Sequence, residues 1–210
     1  MRKLLVVLVV LAALVVLGDS LLRGYAERRV ATELRSSLSL SEKPSVDIGG
    51  WPFGVRVLAQ SFPSVDISGR DVAIEGVAVT GFELRLREVS FSASDLLSGE
   101  ARSIDIASGR GSIRLTSELI SERLGAQDLP FTFSIDGERA TLSSPELGAE
   151  VSAEIALAGN ALTIDPPGFD TISIDLPEVA DQVEYRSVHV SGDAVVATFG
   201  LRSGRIDLSG

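Results

Sequence analysis

No cysteine occurs among the 210 residues. That excludes disulfides, thiolate metal sites, a cysteine nucleophile and a lipidated N-terminal cysteine. It is silent about compartment, because a domain of this length builds a sufficient core without covalent staples. Histidine is nearly missing as well. The single one, His189, stands between Val188 and Val190, where alternation turns it toward solvent. One histidine without cysteine does not make a usual zinc site. There is no G-x-S-x-G elbow, Walker loop or G-x-G-x-x-G stretch. Gly109-Arg110-Gly111-Ser112 comes nearest, but it reads as the junction of two strands, whereas those motifs open a helix. The expectation is a protein with no cofactor, no metal and no enzymatic activity. There are 29 acidic residues, but the polar positions follow the outward phase of the strands, so they read as a solvated surface and not as the convergent pair that a hydrolase needs.

Positive charge is scarce in the body of the chain. From Pro44 onward, 12 Lys and Arg face 25 Asp and Glu, a balance of −13 within a total of −10. A folded part this acidic repels nucleic acid, which needs Lys/Arg clusters to displace its counterions. Nucleic acid is therefore excluded as a partner.

The N-terminus is of another kind. Arg2 and Lys3 precede an unbroken apolar run from Leu4 to Leu17, the pattern of a signal peptide or a signal anchor. Fourteen residues span about 21 Å as helix, short of the roughly 30 Å of bilayer hydrocarbon, and extension to Leu22 brings the length to about 29 Å. No A-x-A site is present, so an uncleaved anchor over residues 4–22 is expected, with cleavage near residues 18–20 as the alternative. Leu22, Ala26, Val30, Leu34 and Leu38 recur at i+4, so the helix is expected to continue as an amphipathic one. Arg2 and Lys3 on one side nearly balance Arg23, Arg28 and Arg29 on the other, which leaves orientation undecided by charge alone. Residues 1–22 thus read as an anchor or signal peptide, and residues 23–210 as one domain.

From Val46 on, period-two alternation dominates. Val65/Ile67, Phe82/Leu84/Leu86, Ile113/Leu115, Phe131/Phe133/Ile135, Val151/Ala153/Ile155/Leu157 and Val195/Ala197/Phe199/Leu201 each send apolar groups to one side. One-sided alternation predicts antiparallel sheet with a single buried face. Ser68-Gly69, Gly109-Arg110-Gly111, Asp136-Gly137, Gly159-Asn160 and Gly192-Asp193 read as turns. Short helices are expected at Pro52 to Gln60, Ser94 to Gly99 and Thr116 to Leu124, with a further turn at Pro177 to Val183. A Val/Ile-Asp-Ile/Leu tripeptide recurs at Val46, Val65, Ile104, Ile174 and Ile206 with irregular spacing. It is a strand solution with two aliphatics inward and Asp outward, which also discourages edge pairing between molecules.

Certain residues carry a resemblance. The charged helix with Tyr25-Ala26-Glu27, then Val46-Asp47-Ile48-Gly49-Gly50-Trp51-Pro52-Phe53, Phe62-Pro63-Ser64-Val65-Asp66-Ile67, Val89-Ser90-Phe91 and Ser94-Asp95-Leu96-Leu97-Ser98-Gly99 together resemble the LmeA-like phospholipid-binding family of actinobacterial envelope proteins. The resemblance covers roughly residues 20 to 208 and departs at Gly54-Val55-Arg56, where an apolar-Thr-Gln stretch is more usual. It implies a mainly β, α+β fold of the tubular lipid-binding kind, a curved antiparallel sheet wrapped around a long helix. It further implies a place on the outer, periplasmic or cell-wall side of the cytoplasmic membrane, and phospholipid or a related envelope lipid as partner, in support of lipid or lipoglycan assembly. A cavity for such a lipid is expected to reach several hundred Å³. Its lining is expected from Leu34, Leu38, Trp51, Phe53, Val57, Leu58, Phe62, Leu84, Leu86, Phe91, Leu97, Phe131, Phe133 and Phe199. Arg56, Arg85, Arg87 and the arginines of residues 23–35 are headgroup candidates. The rival reading is a membrane-tethered protein-interaction module with a solid core and no lipid.

Overall fold

The structure is a computed structural model describing residues 18–32, 34–35, 42–74, 77–91, 103–137, 139–145, 148–177 and 182–207. The run from Leu4 to Leu17, Leu38 and the Ser94–Gly99 turn with Leu97 lie outside the described residues, as does most of the Pro177–Val183 turn. Helix α1 occupies residues 18–32 and 34–35. Strand β1 (Ser45–Ile48) and helix α2 (Phe53–Leu58) follow, then β2 (Ser61–Ile74), β3 (Val77–Phe91), β4 (Ser103–Ile106) and β5 (Ser108–Thr116). Helix α3 (Ser117–Ala126) leads into β6 (Thr132–Asp136), β7 (Arg139–Ser144), β8 (Ala149–Ala158), β9 (Ala161–Asp165) and β10 (Ile172–Asp175). The chain returns through β11 (Val183–Ser191), β12 (Ala194–Leu201) and β13 (Gly204–Asp207). No described helix is long and apolar enough to cross a membrane.

All strand pairs are antiparallel, in two sheets. The first runs β1-β2-β3-β5-β12-β11, with β4 on the end of β3 and β13 on β4; the second runs β10-β9-β8-β7-β6. Alternation explains the faces. On β5, Ile113 and Leu115 are buried while Arg110 and Arg114 are exposed, and on β10 Ile172 and Ile174 are buried while Ser173 and Asp175 are exposed. The apolar faces of both sheets merge in one core that contains Val79, Leu86, Ile113, Phe133, Leu142, Leu162, Ile164 and Phe199. Ile120 and Leu124 of α3 enter the same core. Ser121 ties this helix to β6, because its Oγ accepts the Phe133 N–H at 2.9 Å while its proton is shared between the Ser117 and Phe133 carbonyls at 2.8 and 3.1 Å.

Two expectations are corrected. Gly69 and Gly109-Arg110-Gly111 are not turns but lie inside β2 and β5. Each apolar-phase glycine is the floor for a large neighbour. Phe82 pairs with Gly69 and Phe199 with Gly111. A Cβ at Gly111 would stand 2.4 Å from Phe199 Cζ and 2.6 Å from the Glu83 carbonyl oxygen, so only glycine lets the ring lie across the strand. The glycines that do turn the chain, Gly137, Gly159 and Gly192, have φ of 64°, 63° and 67°, as tight turns require.

The second correction concerns α1. It is not enclosed by a sheet, and none of its described residues enters the main core. Its inward side carries Asp19, Arg23 and Glu27, each bonded to neighbouring elements. A helix with three ionised groups inward does not suit a dry tube. The i+4 stripe is split accordingly: Ala26 and Leu34 pack inward, and Leu22 and Val30 are exposed.

Candidate functional site

Asp19 organises the end of the molecule where α1, α2 and β1 meet. Helix α2 begins after Pro52, which offers no side-chain cap, so its first N–H groups need an outside acceptor. Asp19 supplies it across 34 residues of sequence, with Oδ2 accepting from Phe53 N at 2.7 Å and Oδ1 from Gly54 N at 2.8 Å. One turn on, the Arg23 guanidinium donates to Glu27 Oε1 and to Asp47 Oδ2, both at 2.8 Å. The hydrogen bond to Glu27, helped by the charge of Asp47, raises the Arg23 pKa above the ordinary arginine value. Glu27 Oε1 also accepts from Ile48 N at 3.1 Å. That N–H lies on the side of β1 away from β2, so α1 covers an edge strand that would otherwise stay open.

Beneath this polar strap is a second apolar cluster of Ala31, Val46, Ile48, Phe53 and Phe62, with Ala26, Leu34, Val57, Ile67 and Phe91 around it. Its spine is a ladder of three rings. Phe53 stacks on Phe62 at 5.2 Å and 24°, and Phe62 on Phe91 at 5.4 Å and 25°. Val65 touches both this cluster and the main core and so marks the seam between them.

The residues expected to line one cavity are divided by that seam. Leu34, Phe53, Val57, Phe62 and Phe91 gather in the small cluster, whereas Leu84, Leu86, Phe131, Phe133 and Phe199 belong to the main core. Leu86, Phe133 and Phe199 keep only 3%, 2% and 3% of their surface open, so protein surrounds them and they border no slot. The cleft between α3 and β10, lined in part by Leu119, Ile120 and Ile174, has a volume of about 10 Å³, room for one water. Around Leu86, Phe133 and Phe199 the main core is therefore packed by the protein's own side chains among the described residues. Trp51 and Leu58 line no interior either, being 68% and 84% exposed. On α2 the positions of Phe53 and Val57 share one face and Leu58 falls roughly 100° from Val57, so a six-residue helix that buries the first two turns the third outward.

Among the headgroup candidates, Arg85 is held by Asp66 on the neighbouring strand, and this hydrogen bond raises its pKa. Arg56 lies exposed in the last turn of α2, and Arg28 donates to the Gly24 carbonyl of its own helix at 2.8 Å. The roles of Asp19 and Glu27 had one sequence signal. A carboxylate placed directly after an apolar run, as in Gly18-Asp19-Ser20, calls for a partner.

The family model for LmeA-like phospholipid-binding proteins matches residues 17–198. No curated protein and no solved structure gives a significant match. The matched span runs from the first described turn of α1 into β12 and includes the aromatic ladder, its polar strap, the second sheet and all of the first but β13 and the end of β12, and the chain belongs to the LmeA-like phospholipid-binding family.

Proposed function

We propose that this protein binds phospholipid without catalysing a reaction on it, taking acyl chains between α1 and the Phe53-Phe62-Phe91 ladder. In this reading it works on the outer side of the cytoplasmic membrane, held there by residues 4–22, in support of envelope lipid assembly. The observation that carries the reading is the second apolar cluster. It is an aromatic-lined surface separate from the main core, roofed by one helix that is tied down by polar contacts at Asp19, Arg23 and Glu27.

Energetics favour this cluster over the main core. Acyl chains leaving water gain about 0.8 kcal/mol per methylene, but chains leaving a bilayer are already in hydrocarbon. A carrier therefore needs a dry surface that opens at little cost. Lifting α1 breaks a few charge-assisted hydrogen bonds of about 1.5–3 kcal/mol each and withdraws Ala26, Ala31 and Leu34 from the small cluster. Opening the two-sheet core would uncover many more side chains, among them Phe133 and Leu142, each costing about 1.5–3 kcal/mol. Arg56 and the arginines of α1 stand at the rim, where a phosphate would sit.

The test uses the lack of native cysteine. In Arg23→Cys/Asp47→Cys, a short bifunctional maleimide fastens α1 to β1. Full-length protein is expected to carry phospholipid by native mass spectrometry and to take labelled phospholipid from vesicles, and the cross-link is expected to abolish the uptake. Equal uptake with and without the link would refute entry beneath α1, and lipid in neither assay would end the lipid reading altogether. The closed main core favours one rival, a tethered interaction module with a solid interior, which predicts that second outcome.

A further inference from the structure

Large apolar side chains are exposed very unevenly. Of the eight exposed among the described residues, seven lie on α1 or between Trp51 and Leu58: Leu21, Leu22, Tyr25, Val30, Trp51, Val55 and Leu58. Phe169 alone is elsewhere. A soluble surface scatters such residues, and their concentration marks a docking face. Asp19 pins the start of α2 to the start of α1, so Leu21, Leu22 and Tyr25 on one helix and Trp51, Val55 and Leu58 on the other all lie within about two turns of that junction.

Three observations select the occupant. The apolar run Leu4–Leu17 ends one residue before Gly18, so the chain meets this face directly from its most lipid-like segment. Charge is divided in the same way. Residues 18–58 carry six Lys and Arg against five Asp and Glu, whereas residues 59–210 carry 11 against 24, so this end is the region of the domain that an anionic headgroup layer repels least. The composition is interfacial too, with Trp and Tyr beside Leu, Val and Arg, the set that settles between headgroups and acyl chains.

We propose that the outward face of α1 and α2, centred on Trp51, Val55 and Leu58, is a bilayer-docking surface that lies in the headgroup region without spanning the membrane. It acts separately from the anchor run and does not depend on a lipid entering beneath α1.

Trp51 is the only tryptophan in the chain and reports on this face directly. Full-length protein is reconstituted into vesicles of phosphatidylcholine and phosphatidylglycerol, with or without lipids brominated near the carboxyl end of the acyl chains. Expected are a blue-shifted Trp51 emission, quenching by the brominated lipid and protection from aqueous iodide. Val55→Asp/Leu58→Asp replaces two exposed side chains, so the fold is retained by circular dichroism while quenching falls by roughly threefold or more. Water-like emission open to iodide in vesicle-bound protein would overturn the proposal, as would equal quenching of the double variant. Two controls are equally decisive. A blue shift that depends on protein concentration without vesicles would assign the face to a second copy. A short-chain phosphatidylcholine below its micelle concentration fills a lipid site but offers no surface. An equal shift with it would place Trp51 in the lipid site instead. Lipid content measured on the same samples separates this outcome from failure of the lipid-binding reading. Docking without bound lipid leaves the docking face standing, and bound lipid without docking removes it.

Discussion

The two apolar clusters use the same kinds of side chain and meet at Val65, but they are closed in different ways. The main core is sealed from both sides by hydrogen-bonded sheet and by α3, with Leu124, Leu142, Leu162 and Ile164 wholly buried. Entry there would require the sheets to separate. The small cluster has sheet on one side only. Its other side is made by α2, which supplies Phe53 and Val57, and by α1, which is fastened by carboxylates and an arginine whose bonds water can replace at modest cost. Aromatic content therefore says little about where a ligand can go. What decides it is whether the lid is held by apolar burial or by exchangeable polar bonds.

The largest break in this contrast is expected from Phe133→Asp. A partnerless carboxylate in the main core costs several kcal/mol, about 4 or more, so denaturant titration followed by circular dichroism would show loss of the whole fold. A variant as stable as the parent would mean that the sheets are not sealed. Next comes Phe62→Ala, which removes the middle ring of the ladder at about 3 kcal/mol. Hydrogen exchange is expected to quicken in α1, β1 and α2 while β8 to β10 keep their protection. Uniform loss across the molecule would show that the clusters are one unit. Asp19→Ala removes the acceptor of two α2 N–H groups and is expected to cost about 1–2 kcal/mol, read as faster exchange over residues 53–58. Exchange there at the parental rate would deny Asp19 its role in fixing the helices. The smallest effect belongs to Arg23→Gln. Its ion pairs are partly solvated, so the loss is expected to stay below about 1 kcal/mol, and thermal melts at rising salt, which screens the same pairs, should narrow the gap from the parent.

Much of the strand phase was legible because a half-buried strand writes itself in period two. Leu84 and Leu86, Ile113 and Leu115, and the outward His189 follow from alternation alone. The partition into two sheets was not legible, since nothing local in β5 says that it pairs with β3 and β12 and not with a strand nearer in sequence. Glycine misled for a definite reason. In isolation Gly111 and Gly137 look alike, but one makes room for Phe199 and the other adopts positive φ, and only the partner strand tells them apart. The apolar character of Phe53, Phe62 and Phe91 was legible too. Their stacking was not, because it depends on α2, β2 and β3 arriving at one place. The stripe on α1 misled because hydrophobic spacing carries no information about the partners of Asp19, Arg23 and Glu27, and those partners decide which side faces the domain.

Strands β2 and β3 are 14 and 15 residues long and stay paired from Ser61 and Ser90 to Ile74 and Val77. At strand rise this ribbon measures about 45 Å, and it starts three residues after α2 ends. It behaves as a strut. A surface touching α2 and a partner gripping the opposite tip of the ribbon would be kept nearly a bilayer's thickness apart, so whatever recognises that tip can do so without disturbing the greasy end.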